Sequence, residues 1–470
     1  MKSMNLTLKS LTLVVAGAFA LSGCQVLPSF SKPAAPVPEA FPAADADSAA
    51  PAVTIGWRAF FQNPELQETI ATALANNRDL KTAALRIEEA RAVYGIQRAD
   101  QLPTINATAG GTSARQVLAT TGTAYNSTIY QVGLGMTAFE LDFFGRVKNL
   151  SEAALAQFFA TEEARRALQI ALVGEVAKAW LNERALAEQA LLAERTQQGR
   201  EASYDLVRKR FDAGISNALE LRQSETLVHS ARVSALALKR QHAQAVNALA
   251  LLSGSSSRLP EQQAMLSAQV ITADISAGLP SQLLENRPDI RAAELRLRAS
   301  QANIAAARAA FFPRISLTAG IGLASTDLTN LFDSGSRTWN FAPSLLLPIF
   351  DSGRTEANLD LAKVRANIAV ADYEKAIQVA FREVADALEA RATLASEITA
   401  QQAVRDAQAA RLELAKARYQ NGVANYLDVL DAERELFTAE QQLLQTKLLK
   451  LTNAVDLYRA LGGGLYETTP

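Results

Sequence analysis

Residues 211–223 read FDAGISNALELRQ and residues 419–431 read YQNGVANYLDVLD, one instruction given twice at a spacing of 208 positions. In each, a glycine interrupts a long proline-free run of alanine, leucine and charged residues, and the same periodicity then resumes. The register extends far beyond these stretches. The same spacing sets Gly145-Arg146 on Gly353-Arg354, Glu175-Val176-Ala177 on Glu383-Val384-Ala385, and Gly254 on Gly462. Near the preceding proline it becomes 210, and LPTINATAG at 102–110 faces FPRISLTAG at 312–320. A register held over that length is a duplication, so the body of the chain is two related halves.

Within each half the period changes. Residues 64–99 open on Pro64 and carry Leu66, Ile70, Leu74, Leu80, Leu85 and Ile87 among polar residues, which predicts a helix with some slippage in its stripe; 281–311 behaves similarly. After Pro103 and Pro313 the period becomes two. Ile105, Ala107 and Ala109 alternate with small or polar residues, as do Ile315, Leu317, Ala319, Ile321 and Leu323. Two partner segments repeat the pattern with Tyr130, Val132, Leu134, Met136 and Ala138, and with Trp339, Phe341, Pro343, Leu345 and Leu347; polar loops are expected near 111–128 and 325–338.

Strands of about ten residues with one apolar face suit a transmembrane β-barrel, although a soluble sandwich can alternate in the same way. Open strand edges cannot sit in hydrocarbon, and four strands are fewer than the usual minimum of about eight for a closed barrel. If these strands span, several chains must pool them: a dimer gives eight and a trimer twelve. Val132, Leu317 and Leu345 are then expected to face lipid and Thr318 the lumen.

Residues 146–210 and 354–418 hold no proline. At 1.5 Å per residue, about 65 helical residues extend roughly 100 Å, and their alanine content allows close packing as a coiled coil or helix barrel. Gly214 and Gly422 fall where each long helix must reverse into the next, near 217–252 and 425–460. The two glycine elements are expected to be hairpin tips at one end of a helical body, with the strands at the other.

The N-terminus reads as an export signal. Lys2 and Lys9 precede the apolar run Leu11–Leu21, too short for a mature spanning helix, and the run ends in LSGC. Cys24 is the only cysteine, so no intrachain disulfide exists. LSGC resembles a bacterial lipoprotein signal, which implies cleavage before Cys24 and covalent lipid on it; Gln25 in the next position then favours export to the outer membrane. Residues 28–51 are rich in proline and alanine, as a tether or strap would be. The expected division is a signal at 1–23, an acylated tether and strap at 24–60, a first repeat at 61–255, a connector at 256–280, a second repeat at 281–463 and a tail at 464–470.

Other functions find little support. The chain carries 47 basic and 48 acidic residues without a basic stripe, which argues against a nucleic-acid partner. His229 and His242 lie in helical sequence without ligand spacing, and no phosphate-binding loop or serine elbow occurs, so neither an enzyme nor a metal or other cofactor is expected beyond the lipid at Cys24.

Taken together, IGWRAFFQNPELQETIATALANNRDL at 55–80, FELDFFGRV at 139–147, LPSQLLENRPDIRAAE at 279–294, ARAAFFPRISLTA at 307–319 and PIFDSGR at 348–354 resemble the outer-membrane efflux factors of the TolC superfamily, in particular the lipoprotein branch that includes OprM. The resemblance covers essentially the whole mature chain. It implies a homotrimer with a twelve-stranded barrel in outer-membrane lipid above a twelve-helix periplasmic tunnel. It also implies a periplasmic adaptor at the tips and an inner-membrane pump, expected to be proton-driven. Gly214, Ile215, Ser216, Gly422 and Val423 are the implied adaptor contacts, and Leu427, Asp431 and Arg434 match an apolar constriction, a carboxylate ring and a charged gating partner.

Plainer roles exist for the same residues. Asp431 and Arg434 have the spacing of a surface ion pair, Ile215 and Val423 could pack inside the hairpin, and Arg146 and Arg354 are expected to satisfy carbonyls or carboxylates at strand-to-helix junctions. At the repeat spacing Asp431 faces Gln223, so the first half supplies no second acidic ring at this site. The function implied is passive conduction of small molecules out of the cell in multidrug efflux; the alternatives are an exit duct for secreted protein or peptide, and a non-channel periplasmic scaffold or adhesin.

Overall fold

The computed structural model describes residues 32–38, 40–41, 52–120, 122–254, 266, 270–271, 275 and 280–468. The expected signal, Cys24 and most of the expected connector lie outside them. After a turn of helix at Trp57–Phe60, the first half folds as α1 (Pro64–Asn76), α2 (Arg78–Ala99), β1 (Ile105–Val117), β2 (Ala124–Leu141), α3 (Arg146–Asp212) and α4 (Ala218–Ser253). The second half repeats the series as α5 (Pro280–Asn286), α6 (Pro288–Ala309), β3 (Arg314–Ser325), β4 (Arg337–Leu346), α7 (Arg354–Gln420) and α8 (Tyr426–Ala460). Both long helices are continuous over 67 residues, as the absence of proline predicts.

The chain divides into two compact units, each drawing on both halves. One comprises Met1–Ala34, Arg86–Glu162 and Ala292–Tyr373; the other comprises Ala35–Leu85, Glu163–Arg291 and Glu374–Pro470.

In the second unit the single helix expected over 64–99 breaks at Asn77, whose backbone turns to φ −59°, ψ 130°. The break follows from side-chain chemistry. Asn77 Oδ1 accepts from the Leu80 N–H at 3.0 Å, starting α2, and its Nδ2 donates to the Leu252 carbonyl at 2.9 Å, near the end of α4. In the second half Arg287 takes this place. It donates to the Ala460 carbonyl at 3.0 Å at the end of α8, and to Glu383 at 2.8 Å and Asp289 at 2.6 Å. The duplication thus preserves an attachment while changing the residue that makes it. An aromatic core sits nearby: Phe60 stacks on Tyr458 at 3.9 Å, Phe61 meets that ring edge-on at 6.1 Å, and the Tyr458 hydroxyl donates to the Ile55 carbonyl at 2.6 Å.

The first unit holds one antiparallel sheet of order β1-β2-β3-β4. Its register brings the apolar positions of all four strands onto one face. Ala107 pairs with Leu134, Leu134 with Ile321 and Ile321 with Trp339; one rung along, Ile105, Met136, Ala319 and Phe341 line up. The opposite face is paved with glycine, for Gly133 pairs with Gly322 and Gly135 with Gly320. A Cβ on Gly133 would lie 2.6 Å from the Ile321 carbonyl oxygen and one on Gly322 would lie 2.4 Å from that of Val132. Backbones this close on one face leave no room for larger residues there.

Two expectations are corrected here. The loop expected over 111–128 is mostly strand, since β1 runs to Val117 and β2 starts at Ala124. Ala138 does not continue the apolar face: it sits in a bulge between Met136 and Phe139 with φ 51°, after which Phe139 and Leu141 take the face instead. On the opposite face the Thr318 hydroxyl accepts the N–H of Ala138 at 3.1 Å and supports the bulge.

Candidate functional site

The two glycine elements form tips by one backbone solution. Gly214 has φ 74° and Gly422 φ 71°, the left-handed conformation that ends a helix without a Cβ clash. The next amide closes each turn: the Ile215 N–H donates to the Arg210 carbonyl at 2.8 Å and the Val423 N–H to the Arg418 carbonyl at 2.9 Å. Asparagine then starts each return helix. Asn217 Oδ1 accepts from the Glu220 N–H at 2.9 Å and Asn425 Oδ1 from the Asp428 N–H at 3.2 Å.

Ile215 is 68% exposed and Val423 69%, so neither packs inside its hairpin within the chain. What lies inside is a shared cluster of Val207, Leu412, Tyr426, Val429, Leu430 and Ala432, contributed by both hairpins. Burial pushes the Tyr426 hydroxyl up to about 12, so it stays neutral in this core.

A polar bridge crosses between the tips. The Tyr419 hydroxyl donates to one oxygen of Glu220 at 2.9 Å, Ser216 donates to the other at 2.5 Å, and the Arg210 guanidinium lies 4.8 Å from the Tyr419 ring centre. Burial first, then the Glu220 carboxylate, raises the Tyr419 hydroxyl above its usual range. Sequence reading missed Glu220, Tyr419, Asn217 and Asn425. The signal for three of them was present, since N-A-L-E and N-Y-L-D are helix-start patterns at the repeat spacing.

Leu427, Asp431 and Arg434 lie along α8 beyond the second tip. Leu427 is 46% exposed although it is a large apolar residue, and its repeat mate Leu219 is also exposed. Arg434 Nη2 reaches Asp431 Oδ1 at 2.8 Å, with a longer contact to Glu435 at 3.4 Å. Both side chains are well exposed, so the pair contributes only a few tenths of a kcal/mol, about what such surface pairs give. At the strand-to-helix junctions, Arg146 forms a two-point pair with Glu140 at 2.8 and 2.6 Å, as expected. Asp351, rather than Arg354, organises the second junction by accepting from the Gly353 N–H at 3.1 Å and the Thr355 N–H at 2.9 Å. His229 and His242 do not join a metal cluster, and no group of metal-binding side chains occurs among the described residues.

Four antiparallel strands with an apolar face and a glycine face, carried with helices of 67 residues, define a channel subunit rather than a catalyst. The family model described as outer membrane efflux protein matches residues 69–255 and 279–463, and the chain belongs to that family. The chain is 46% identical to the toluene efflux pump outer membrane protein TtgI of Pseudomonas putida over 458 residues, covering 94% of this chain and 96% of the relative. It is 44% identical to the cation efflux system protein CusC of Escherichia coli over 450 residues, covering 95% and 98%. The crystal structure of the open state of the Neisseria gonorrhoeae MtrE outer membrane channel superposes with a TM-score of 0.86 at 42% identity, covering 95% of this chain and all of that one. This protein is an outer-membrane channel component of a tripartite efflux system, working with an adaptor and an inner-membrane pump.

Proposed function

We propose that three copies of this chain pool their sheets into one twelve-stranded barrel, their helices into a twelve-helix tunnel, and conduct small molecules passively out of the cell. The observation that carries this reading is the sheet, whose apolar face is exposed, with Ile321 68% and Trp339 77% accessible, while its β1 and β4 edges pair with no further strand among the described residues. In hydrocarbon those edges need neighbours. We place the chain in the lipoprotein branch that includes OprM, with lipid on Cys24 as a second attachment alongside the barrel.

At the tips, Gly214, Ile215, Ser216, Gly422 and Val423 receive the periplasmic adaptor, and the exposure of Ile215 and Val423 supports this. Leu427, Asp431 and Arg434 form the resting constriction. The pump is proton-driven and the cargo includes drugs. Its relatives include a toluene efflux pump outer membrane protein and a cation efflux system protein, which fits a duct whose partners choose the cargo. A deletion strain separates this from protein secretion. It should accumulate a small fluorescent dye and still release its secreted proteins; unchanged dye with lost protein release would reverse the assignment.

A further inference from the structure

Behind the constriction residues, α8 turns a second set of charged side chains inward. A cleft of about 140 Å³ is lined by Thr196, Gly199 and Arg200 of α3, Leu412 of α7, and Glu433, Phe437 and Glu440 of α8. Glu433 and Glu440 are two helical turns apart and face the same space, with Arg200 opposite. Arg200 is only 7% exposed. Its Nη1 donates to the Leu227 carbonyl of α4 at 3.2 Å and its guanidinium lies 5.9 Å from the Phe437 ring centre. Yet Arg200 Nε and Glu433 Oε2 are both shielded from solvent without a hydrogen-bond partner. Buried polar atoms left unmatched are costly, and where they line a joint between helices they make that joint sensitive to charge.

We propose that this cleft is a proton-responsive clamp: Glu433, seconded by Glu440, holds a proton while α8 is packed on α3 and releases it when α8 moves away, so that acid favours the resting tips and alkali loosens them. This regulation rests on reading Leu427, Asp431 and Arg434 as the constriction, because those residues ride on the same helix.

The sign follows from the surroundings. Burial raises Glu433 above the ordinary carboxylate range, and the opposing cations, Lys416 of α7 and Arg200 of α3, do not cancel it. Burial likewise raises Glu440, opposed by Arg405 of α7. On α8 itself, Tyr426 is neutral, while Arg434, paired with Asp431 at the surface, is a weaker like charge toward Arg200. From α4 Arg200 meets the Leu227 carbonyl. A carboxyl whose affinity for the proton is higher in the packed arrangement stabilises that arrangement fully at low pH, and the stabilisation is lost as pH rises through the raised value.

The test is resting conductance of the full-length protein in planar bilayers from about pH 5.5 to 8.5, where a one-unit difference in proton affinity changes the ratio of two arrangements by up to about tenfold. Wild type should rise several-fold toward the alkaline end. Glu433→Gln, a mimic of the protonated acid, should stay low with only the shallow residual slope of Glu440; Glu440→Gln should flatten the slope in part. Arg200→Gln, which removes an opposing cation, should move the midpoint to higher pH. A flat wild type, a full slope in Glu433→Gln, or an unmoved midpoint in Arg200→Gln overturns the clamp. Loss of the slope in Asp431→Asn but not in Glu433→Gln also overturns it, placing the titration in the ring. If Glu433→Gln flattens the slope while Asp431 and Leu427 variants leave selectivity and conductance unchanged, the clamp stands and the constriction lies elsewhere.

Discussion

Leu427, Asp431 and Arg434 set an apolar side chain, a carboxylate and a guanidinium along one exposed stretch of α8. In the proposed threefold assembly three Asp431 carboxylates would surround one axis, where local charge rather than the chain's net charge would set the field. Asp431→Ala should lower cation selectivity in bilayer recordings, whereas Gln223→Ala, at the corresponding place in the first half, should change it less. Leu427→Ala should raise resting conductance by widening an apolar ring. Tyr419→Phe removes the hydrogen bond to Glu220 and leaves the ring in place; it should weaken the hold between the tips by about 1–2 kcal/mol, given a charged acceptor, and raise resting conductance at constant selectivity. At this scale the sequence was partly legible. Gly214 and Gly422 announce their turns because few other residues accept that backbone. Glu220 was invisible as a bridge because nothing in its spacing tells that Tyr419, nearly two hundred positions away, ends beside it.

Strands and helices were legible where period and proline speak together. The register put Leu134, Ile321 and Trp339 in one row, as alternation predicts, because a strand with one buried or lipid-facing side cannot slip by one residue. The bulge at Ala138 was not legible: neither Thr137 nor Ala138 is a residue that marks a bulge, and the bond that stabilises it comes from Thr318 on another strand. The break at Asn77 left only a slipped stripe as its trace. Lysine at Leu317 or Ile321 should destabilise insertion by roughly 2–4 kcal/mol near mid-bilayer, read from urea titrations of folding into vesicles. Lysine at Thr318 should not be neutral; losing the bond to Ala138 should cost about 1 kcal/mol, and Thr318→Ser should restore it. Gly322→Val should fail to fold into vesicles, because its Cβ would press on the backbone of β2.

For the whole molecule, duplication was the most legible property, since a register repeated at 208 positions needs no structure to be seen. The proposed assembly is written less directly: among the described residues the sheet has two open edges and an exposed apolar face, and the tips hold Ile215 and Val423 in solvent. The proposed attachment through Cys24 is independent of the proposed spanning by the sheet. Mass spectrometry of the mature N-terminus should find an acylated cysteine, and an unmodified Cys24 would remove the anchor without touching the barrel. The central claim is that the sheet is one third of a closed pore. The mass of the native assembly extracted in detergent tests it most directly: three protomers are predicted, and a stable four-stranded monomer would contradict it.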